Sequence, residues 1–472
     1  MVLSGDLAWL VGEVAAVAHV VIASSVTVHV LLYKRNIGTS ISWMGIAWLS
    51  PFIGGLLYFA MGVNRVQRRA RRLRRERSHL FVIDQIEPAD PAADPLTPLE
   101  YAIGRLTGLS TESGNSVEMM RNGDKAYPAM LAAIDAATRS VGICSYIFRA
   151  DVAGQPFIEA LIRAHHRGVQ VRVLIDGIGG GYFYSGTYLR LRKAGVPVDR
   201  FLHSYFPWRT PFLNLRNHRK LLVVDGRIAF TGGINIGAEN LLATNPPDPV
   251  RDTHFRIEGP VVEQLVEVFA DDWLYETGEK LLSDAWFPTL EPVGEVLARA
   301  ITSGPDEDLE QIEFVALHAI SCARRSIRVV TPYYLPPELL TTALGLAAMR
   351  GIAVDIVVPE KSNHAFLDWA RRVPLRNLLA AGCRVWLRPE PFDHSKLMTV
   401  DDSWSLIGSA NWDTRSFRLN FELNVEIQDP AFAQSLIHAT QAGRQLDLAT
   451  LDNEPLLLRL RNSAARLLQP YL

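Results

Sequence analysis

Cysteine is scarce: Cys144, Cys322 and Cys383 are the only three in 472 residues. An odd number, set far apart within apolar or helix-like runs, excludes a disulfide framework and offers no zinc site. The three read as small buried hydrophobes, and the main part of the chain as facing a reducing compartment. Basic charge is missing from most of the chain as well. The formal net charge is −2, yet residues 1 to 80 hold ten Lys or Arg against Asp6, Glu13 and Glu76. That surplus of +7 leaves −9 on residues 81 to 472. No nucleic-acid partner is implied, since such proteins spread basic charge over their main domain. A signal peptide is absent too: the start MVLSGD has no positive region, and no small-residue cleavage site closes the first apolar run.

What the N-terminal region does have is apolar length. Leu7 to Tyr33 carries Glu13 as its only formal charge and exceeds the ~20 residues a bilayer requires. Ile41 to Val63 carries none, includes Trp43, Trp48 and Tyr58, and runs into RVQRRARRLRRER at 65 to 77, which makes it the stronger span. Residues 1–77 are therefore expected to form a retained transmembrane helical hairpin with a basic juxtamembrane segment. The eight arginines from Arg65 to Arg77 belong on the cytoplasmic side, near anionic headgroups. The expectation is a multi-pass integral membrane protein with its main body in the cytoplasm, although Lys34 and Arg35 in the short turn argue the other way. Glu13, His19 and His29 lie within the first span, where neutral histidines can pair across the hairpin.

A chain this long exceeds one ordinary domain. Residues 78–109 open rich in Pro and Asp and read as a linker. After it one order of elements appears twice. The first copy has AYPAMLAAIDAATR, VGICSYIF, FIEALIRAHHRG and VQVRVLID. The second has LEQIEFVALHAISCARR, SIRVVTPYY, PELLTTALGLAAMRG and IAVDIVVPE. Helix-period segments alternating with short β-rich runs predict an α/β fold. Two copies predict pseudo-twofold related lobes over 110–290 and 291–472, each a mixed β-sheet flanked by helices. The repeat is too long for a solenoid.

Each copy ends in the same constellation. NHRKLLVVDGRIAFTGGIN holds His218, Lys220, Asp225 and Asn235; DHSKLMTVDDSWSLIGSAN holds His394, Lys396, Asp401 and Asn411. All three gaps match. Residues at i and i+2 of an extended segment share a face, so each copy aims an imidazole and a cation together. One such motif is commonplace, whereas two with matched spacings mark a functional site. Asp225 and Asp401 open turns, where aspartate commonly satisfies backbone amides. Downstream, VRDTHFRIEGP aligns with NFELNVEIQDP, pairing Asp252 with Glu422 as carboxylates able to accept a proton from an imidazole and fix its tautomer.

The constellation resembles the signature H-x-K-x(4)-D of the phospholipase D superfamily, here HRKLLVVD and HSKLMTVD, over about residues 110 to 440. Within it the chain is most similar to the bacterial cardiolipin synthases, through NLRNHRKLLVVDGRIAFTGGINIG, FADDWLYETGE, GSANWDTRSFRLNFELN and the two apolar spans. The resemblance implies a cell-membrane enzyme in which one phosphatidylglycerol passes its phosphatidyl group to another, releasing glycerol through a phosphohistidine. It implies a catalytic set of His218, Lys220, Asp225, His394, Lys396 and Asp401, with His218 as nucleophile and His394 as general acid. Asn235, Asn411 and Ser409 would bind phosphate, and Asp252 and Glu422 would orient the histidines. The first motif ends in Gly-Gly, which leaves any hydroxyl contribution to Ser409. No metal or other cofactor is called for, because two lysines supply positive charge, and no oligomeric state is implied. Phe206, Trp208 and Phe212, in a loop found only before the first motif, either contact acyl chains or pack the loop. Trp412 and Arg415 either read the headgroup or shape their turn. Water, phosphatidylethanolamine or another alcohol as acceptor stay open as alternatives. A nuclease is disfavoured by the charge, and a non-catalytic lipid scaffold by the integrity of both motifs.

Overall fold

In the computed structural model, which describes residues 2–33, 37–59, 97–204, 215–305, 308–440, 443–467 and 469, the first apolar run is one continuous helix, α1 (Val2–Tyr33). At 1.5 Å per residue it is about 48 Å long, and Trp9–Tyr33 has a mean hydropathy of 2.0. Among the described residues it is the one helix long and apolar enough to cross a membrane. The second run, expected to be the stronger span, is instead divided into α2 (Ile37–Leu49) and α3 (Pro51–Leu57). Pro51 offers no amide proton and its ring crowds the preceding turn, while Ser50 leaves helical geometry at φ −146° and ψ 75°. Val26 and Val30 of α1 pack with Trp43, Ala47 and Tyr58. His29 Nδ1 lies 2.6 Å from the Tyr58 hydroxyl. The arginine run, most of the linker, and Phe206, Trp208 and Phe212 lie outside the described residues.

The main body forms a separate compact unit. Its first half supplies β1 (Glu112–Arg121), β2 (Ser140–Ser145), β3 (Gln170–Asp176), β4 (Val198–Phe201), β5 (Arg216–Asn217), β6 (Leu221–Val224), β7 (Ile228–Gly232), β8 (Val250–Arg251) and β9 (Thr253–Glu258). The second supplies β10 (Val296–Ser303), β11 (Ser326–Val330), β12 (Tyr334–Leu335), β13 (Ala353–Pro359), β14 (Arg384–Arg388), β15 (Phe392–Asp393), β16 (Leu397–Val400), β17 (Trp404–Gly408), β18 (Trp412–Asp413), β19 (Asn420–Gln428) and β20 (Arg444–Leu446).

Outward from the centre the order β1-β9-β7-β6-β2-β3-β4 mirrors β10-β19-β17-β16-β11-β13-β14. β2, β3 and β4 run parallel, as do β11, β13 and β14, while β20 at the far edge and the inner strands are antiparallel, so the sheet is mixed. The halves share one 16-stranded sheet rather than stacking two, because β1 pairs antiparallel with β10. Closing two edges on each other satisfies backbone groups that would otherwise stay open.

Each half has its own apolar core. In the first, the helix Gly154–His166 buries Phe157, Ile158, Leu161 and Ala164, positions spaced to form one stripe, against Val171, Val173 and Ile175 of β3. Burying Phe157 or Leu161 contributes about 1.5–3 kcal/mol each. The second core gathers Ile327, Val329, Leu344, Ile356 and Trp404. Cys144 and Cys383 are buried and Cys322 is half-buried, all three free.

Candidate active site

Two very short strands bring the motifs together. β5 runs parallel to the start of β19, with Arg216 opposite Asn420 and Asn217 opposite Phe421. β15 runs parallel to β8, with Phe392 opposite Val250 and Asp393 opposite Arg251. Each motif histidine is thereby tied to the other half: the His218 amide donates to Phe421 O at 2.9 Å and the His394 amide to Arg251 O at 2.7 Å.

The next residue on each partner strand is the carboxylate, and so the side-chain pairs cross as well. His218 Nδ1 lies 3.0 Å from Glu422, and His394 Nδ1 lies 2.8 Å from Asp252. An ionised carboxylate only accepts, so Nδ1 carries the proton in each ring and Nε2 keeps its lone pair. The alignment had located both carboxylates without indicating that each serves the opposite histidine. That crossing depends on β5 and β15, two residues each, which carry no periodic signal of their own.

The lysines sit beneath the rings, Lys220 donating to His218 O at 2.7 Å and Lys396 to His394 O. Burial pulls both imidazoles down to about 4, outweighing the upward pull of Glu422 on His218 and of Asp252 on His394. Burial also lowers Lys220 to about 7 and Lys396 to about 8, against the nearby carboxylates. Burial works to raise Asp252 and Glu422, yet Lys396 and His394 hold Asp252 below its ordinary value, and His218 and Lys220 do the same for Glu422. At pH 7 the centre holds neutral imidazoles beside two carboxylates, with Lys396 mostly protonated and Lys220 only partly so. An arriving phosphodiester anion favours protonation of every base around it.

Ser409, expected on the phosphate, is committed elsewhere. It is fully buried and its Oγ donates to Glu422 Oε2 at 2.5 Å, while Asn420 Nδ2 donates to Oε1 at 3.0 Å. The Gly-Gly of the first motif has a steric cause. A Cβ on Gly233 would lie 2.1 Å from Asp252 Oδ1, because the shorter aspartate brings its carboxylate closer to the turn. Gly232 and Gly408 adopt φ of 147° and 154°, and a Cβ there would meet Thr253 O at 2.7 Å and Leu423 O at 2.3 Å.

Asp225 and Asp401 are not brought to the histidines, contrary to the signature's grouping of them with the catalytic residues. Both sit at φ 52° and clamp the entrances of β2 and β11. Asp225 accepts from the amides of Arg139 at 2.7 Å and Ser140 at 2.9 Å, and Asp401 from Arg325 at 2.7 Å and Ser326 at 2.9 Å. Asn235 Oδ1 accepts weakly from the Ile147 amide at 3.3 Å. Asn411 is buried, and its Oδ1 has no hydrogen-bond partner among the described residues. Trp412 is buried and stacks on Tyr334 at 6.4 Å, which shapes its turn.

Two tyrosines went unnoticed in the sequence. Tyr146 stands edge-on to His218 with centroids 4.9 Å apart, and Tyr333 edge-on to His394 at 6.2 Å. Burial pushes both phenols above their ordinary value. The available signal was a tyrosine shortly after the equivalent strand of each half, near the ends of VGICSYIF and SIRVVTPYY, although the two are one position apart in register.

A family model described as cardiolipin synthase, PLD-like domain, matches residues 130–273 and 316–442. The major cardiolipin synthase of Bacillus subtilis is 33% identical, with 93% of this chain and 95% of that protein covered. Cardiolipin synthase A of Pseudomonas putida is 32% identical, with 94% of each covered. Among solved structures, the phosphatidylserine synthase of Haemophilus influenzae superposes with a TM-score of 0.61 over 79% of this chain and 100% of that one, at 15% identity, a likeness of fold.

Proposed function

This chain belongs to the cardiolipin synthases of the phospholipase D superfamily, and from that footing we propose how its residues divide the reaction. His218 Nε2 attacks the phosphorus of one phosphatidylglycerol while Nδ1–H stays on Glu422. A covalent phosphohistidine splits one difficult displacement into two easier ones. His394, protonated once the anionic substrate is in place, gives its proton to the departing glycerol oxygen. In the second half His394 takes the proton from a terminal hydroxyl of a second phosphatidylglycerol. That oxygen attacks phosphorus, the N–P bond breaks and its electrons return to Nε2, leaving cardiolipin. Lys220, Lys396, Asn235 and Asn411 surround the non-bridging oxygens as charge builds on them.

The crossed pairs carry this reading, because they make each histidine depend on both halves. The apolar α1 and the eight arginines from Arg65 to Arg77 support an enzyme held in the bacterial inner membrane with its body in the cytoplasm, where both substrates stay within the bilayer. With α2 and α3 as a broken second crossing, the anchor is multi-pass. Purified enzyme with vesicles of labelled phosphatidylglycerol is expected to release glycerol and cardiolipin in equal amounts. Phosphatidate as the main product makes water the acceptor and overturns the assignment.

A further inference from the structure

One helix of the main body leaves an apolar face bare. In Leu456–Arg466, LLLRLRNSAAR, Asn462 and Ala465 are buried and Arg461 lies over the Trp369 ring, 4.5 Å from its centre, so this side faces the protein. Leu457, Leu460, Ala464 and Leu467 fall on the other side, at the spacing of one helical stripe. The three leucines are 79%, 57% and 78% exposed, whereas a surface helix ordinarily turns its apolar stripe to the core. The helix also carries three arginines and no acidic residue. Asp452 and Glu454, just before it, are already paired with Arg376 at 2.6 Å and with Arg372, on a body that is acidic as a whole. Leucines on one face with arginines beside them compose a helix that lies in the surface of an anionic bilayer.

Its place in the fold ties this helix to the site. Ala465 packs with Leu335 and Ala370, and Gln469 Nε2 donates to Leu335 O at 3.0 Å. Two residues before Leu335, Tyr333 stands edge-on to His394 and donates to Asn363 Oδ1 at 2.6 Å, in the loop that leaves β13. The corresponding loop of the first half leaves β3, whose last residue, Asp176, accepts from the Asn217 amide beside His218 at 2.8 Å. That loop is held in place, because Arg200 donates to Gly177 O at 3.0 Å and Tyr182 O at 2.8 Å, and the Tyr182 hydroxyl to Ser204 O at 2.7 Å. Phe183 and Tyr184 at its tip nevertheless stand 85% and 74% exposed. Each half thus shows bare apolar side chains at the loop that borders its histidine.

We propose that the leucine face of Leu456–Arg466, together with Phe183 and Tyr184, docks the body on an anionic phospholipid bilayer, a hold separate from α1 that turns the histidines toward the headgroups. This rests on the membrane-lipid reaction given above. Lipid then reaches the site from the bilayer surface, and a dispersed substrate has no need of the docking face.

The test uses the full-length enzyme reconstituted in vesicles of phosphatidylglycerol and phosphatidylcholine. With Cys322, the half-buried native thiol, replaced by Ser, an environment-sensitive fluorophore is attached at Leu460→Cys, or at Arg139→Cys, exposed at the far end of β2. Brominated phosphatidylcholine is expected to quench the label at 460 and to leave the label at 139 unchanged. Equal quenching overturns the proposal. So does a label at 460 that stays bright while two chains cross-link through it, which makes the face an interface between copies. The double variant Leu457→Gln with Leu460→Gln should lower cardiolipin formation from vesicles about tenfold or more, the worth of burying such side chains in lipid, while turnover of a dispersed short-chain phosphatidylglycerol holds. Equal losses on the two substrates overturn the docking as well. A wild-type enzyme that makes no cardiolipin from either substrate sinks the parent reaction, and the quenching still decides the docking.

Discussion

Replacing Glu422 by Gln and, separately, Asp252 by Asn separates the two halves of the reaction. Glu422 is fully buried and accepts from His218, Ser409 and Asn420 at 3.0, 2.5 and 3.0 Å. An amide of the same shape keeps one acceptor oxygen and turns an NH2 toward the remaining donors. The cheapest repair lets that NH2 donate to Nδ1, which moves the ring proton to Nε2 and removes the nucleophile's lone pair. A wrong tautomer of this kind costs about 10⁴ in the Ser-His-Asp triad, so a loss of roughly 10²–10⁴ in turnover is expected here. Loss of the carboxylate also lets Lys220, already near 7, release its proton at lower pH, so the alkaline limb of the rate profile moves to lower pH. With a phosphatidyl donor bearing p-nitrophenol as leaving group, protonation of the leaving oxygen matters little. Asp252→Asn should therefore keep the first-turnover burst and the adduct on His218, and Glu422→Gln should lose both. The opposite pattern, with the burst lost in Asp252→Asn and kept in Glu422→Gln, refutes the assignment of His218, oriented by Glu422, as the nucleophile.

Gly233→Ser places a Cβ 2.1 Å from Asp252 Oδ1 and should lower cardiolipin formation a hundredfold or more, while Ser409→Ala removes one donor from Glu422 and should cost about tenfold; equal losses would contradict the steric account. Asp401→Ala strips the clamp from the start of β11 and should lower stability by about 2–4 kcal/mol, measured by denaturant titration, with turnover per folded molecule changed by no more than a few-fold. A selective fall in turnover would restore Asp401 to the catalytic set. His218, His394 and His254 are each held near 4 by burial, below the unfolded value of ~6.5. The unfolded chain therefore binds more protons between about pH 6.5 and 4, and stability falls as pH drops through that window; a melting temperature that stays flat across it would show that the rings are not neutral.

Much of the site was legible because the chain states it twice. Matched gaps among His218, Lys220 and Asn235 and their partners need no structure to stand out, and an extended segment fixes which of these residues share a face. The crossing of Glu422 and Asp252 was hidden, since it rests on pairing between residues 204 and 142 positions apart, through strands too short to leave a pattern. The partner of Ser409 was hidden for a related reason: its hydroxyl meets a carboxylate that folding brings back over the turn. The second apolar run was judged by composition, which registers neither the backbone at Ser50 nor the missing amide of Pro51. The continuous sheet was equally hidden, because β1 and β10 look like ordinary edge strands until they meet.

The central claim is that two halves build one site, and it is tested most directly by single histidine variants. His218→Ala and His394→Ala, assayed separately and mixed with phosphatidylglycerol vesicles, should each form cardiolipin at less than about a hundredth of the wild-type rate, and mixing should restore nothing. Either variant retaining near-normal synthesis on its own would mean that one motif suffices, and the shared site would be wrong.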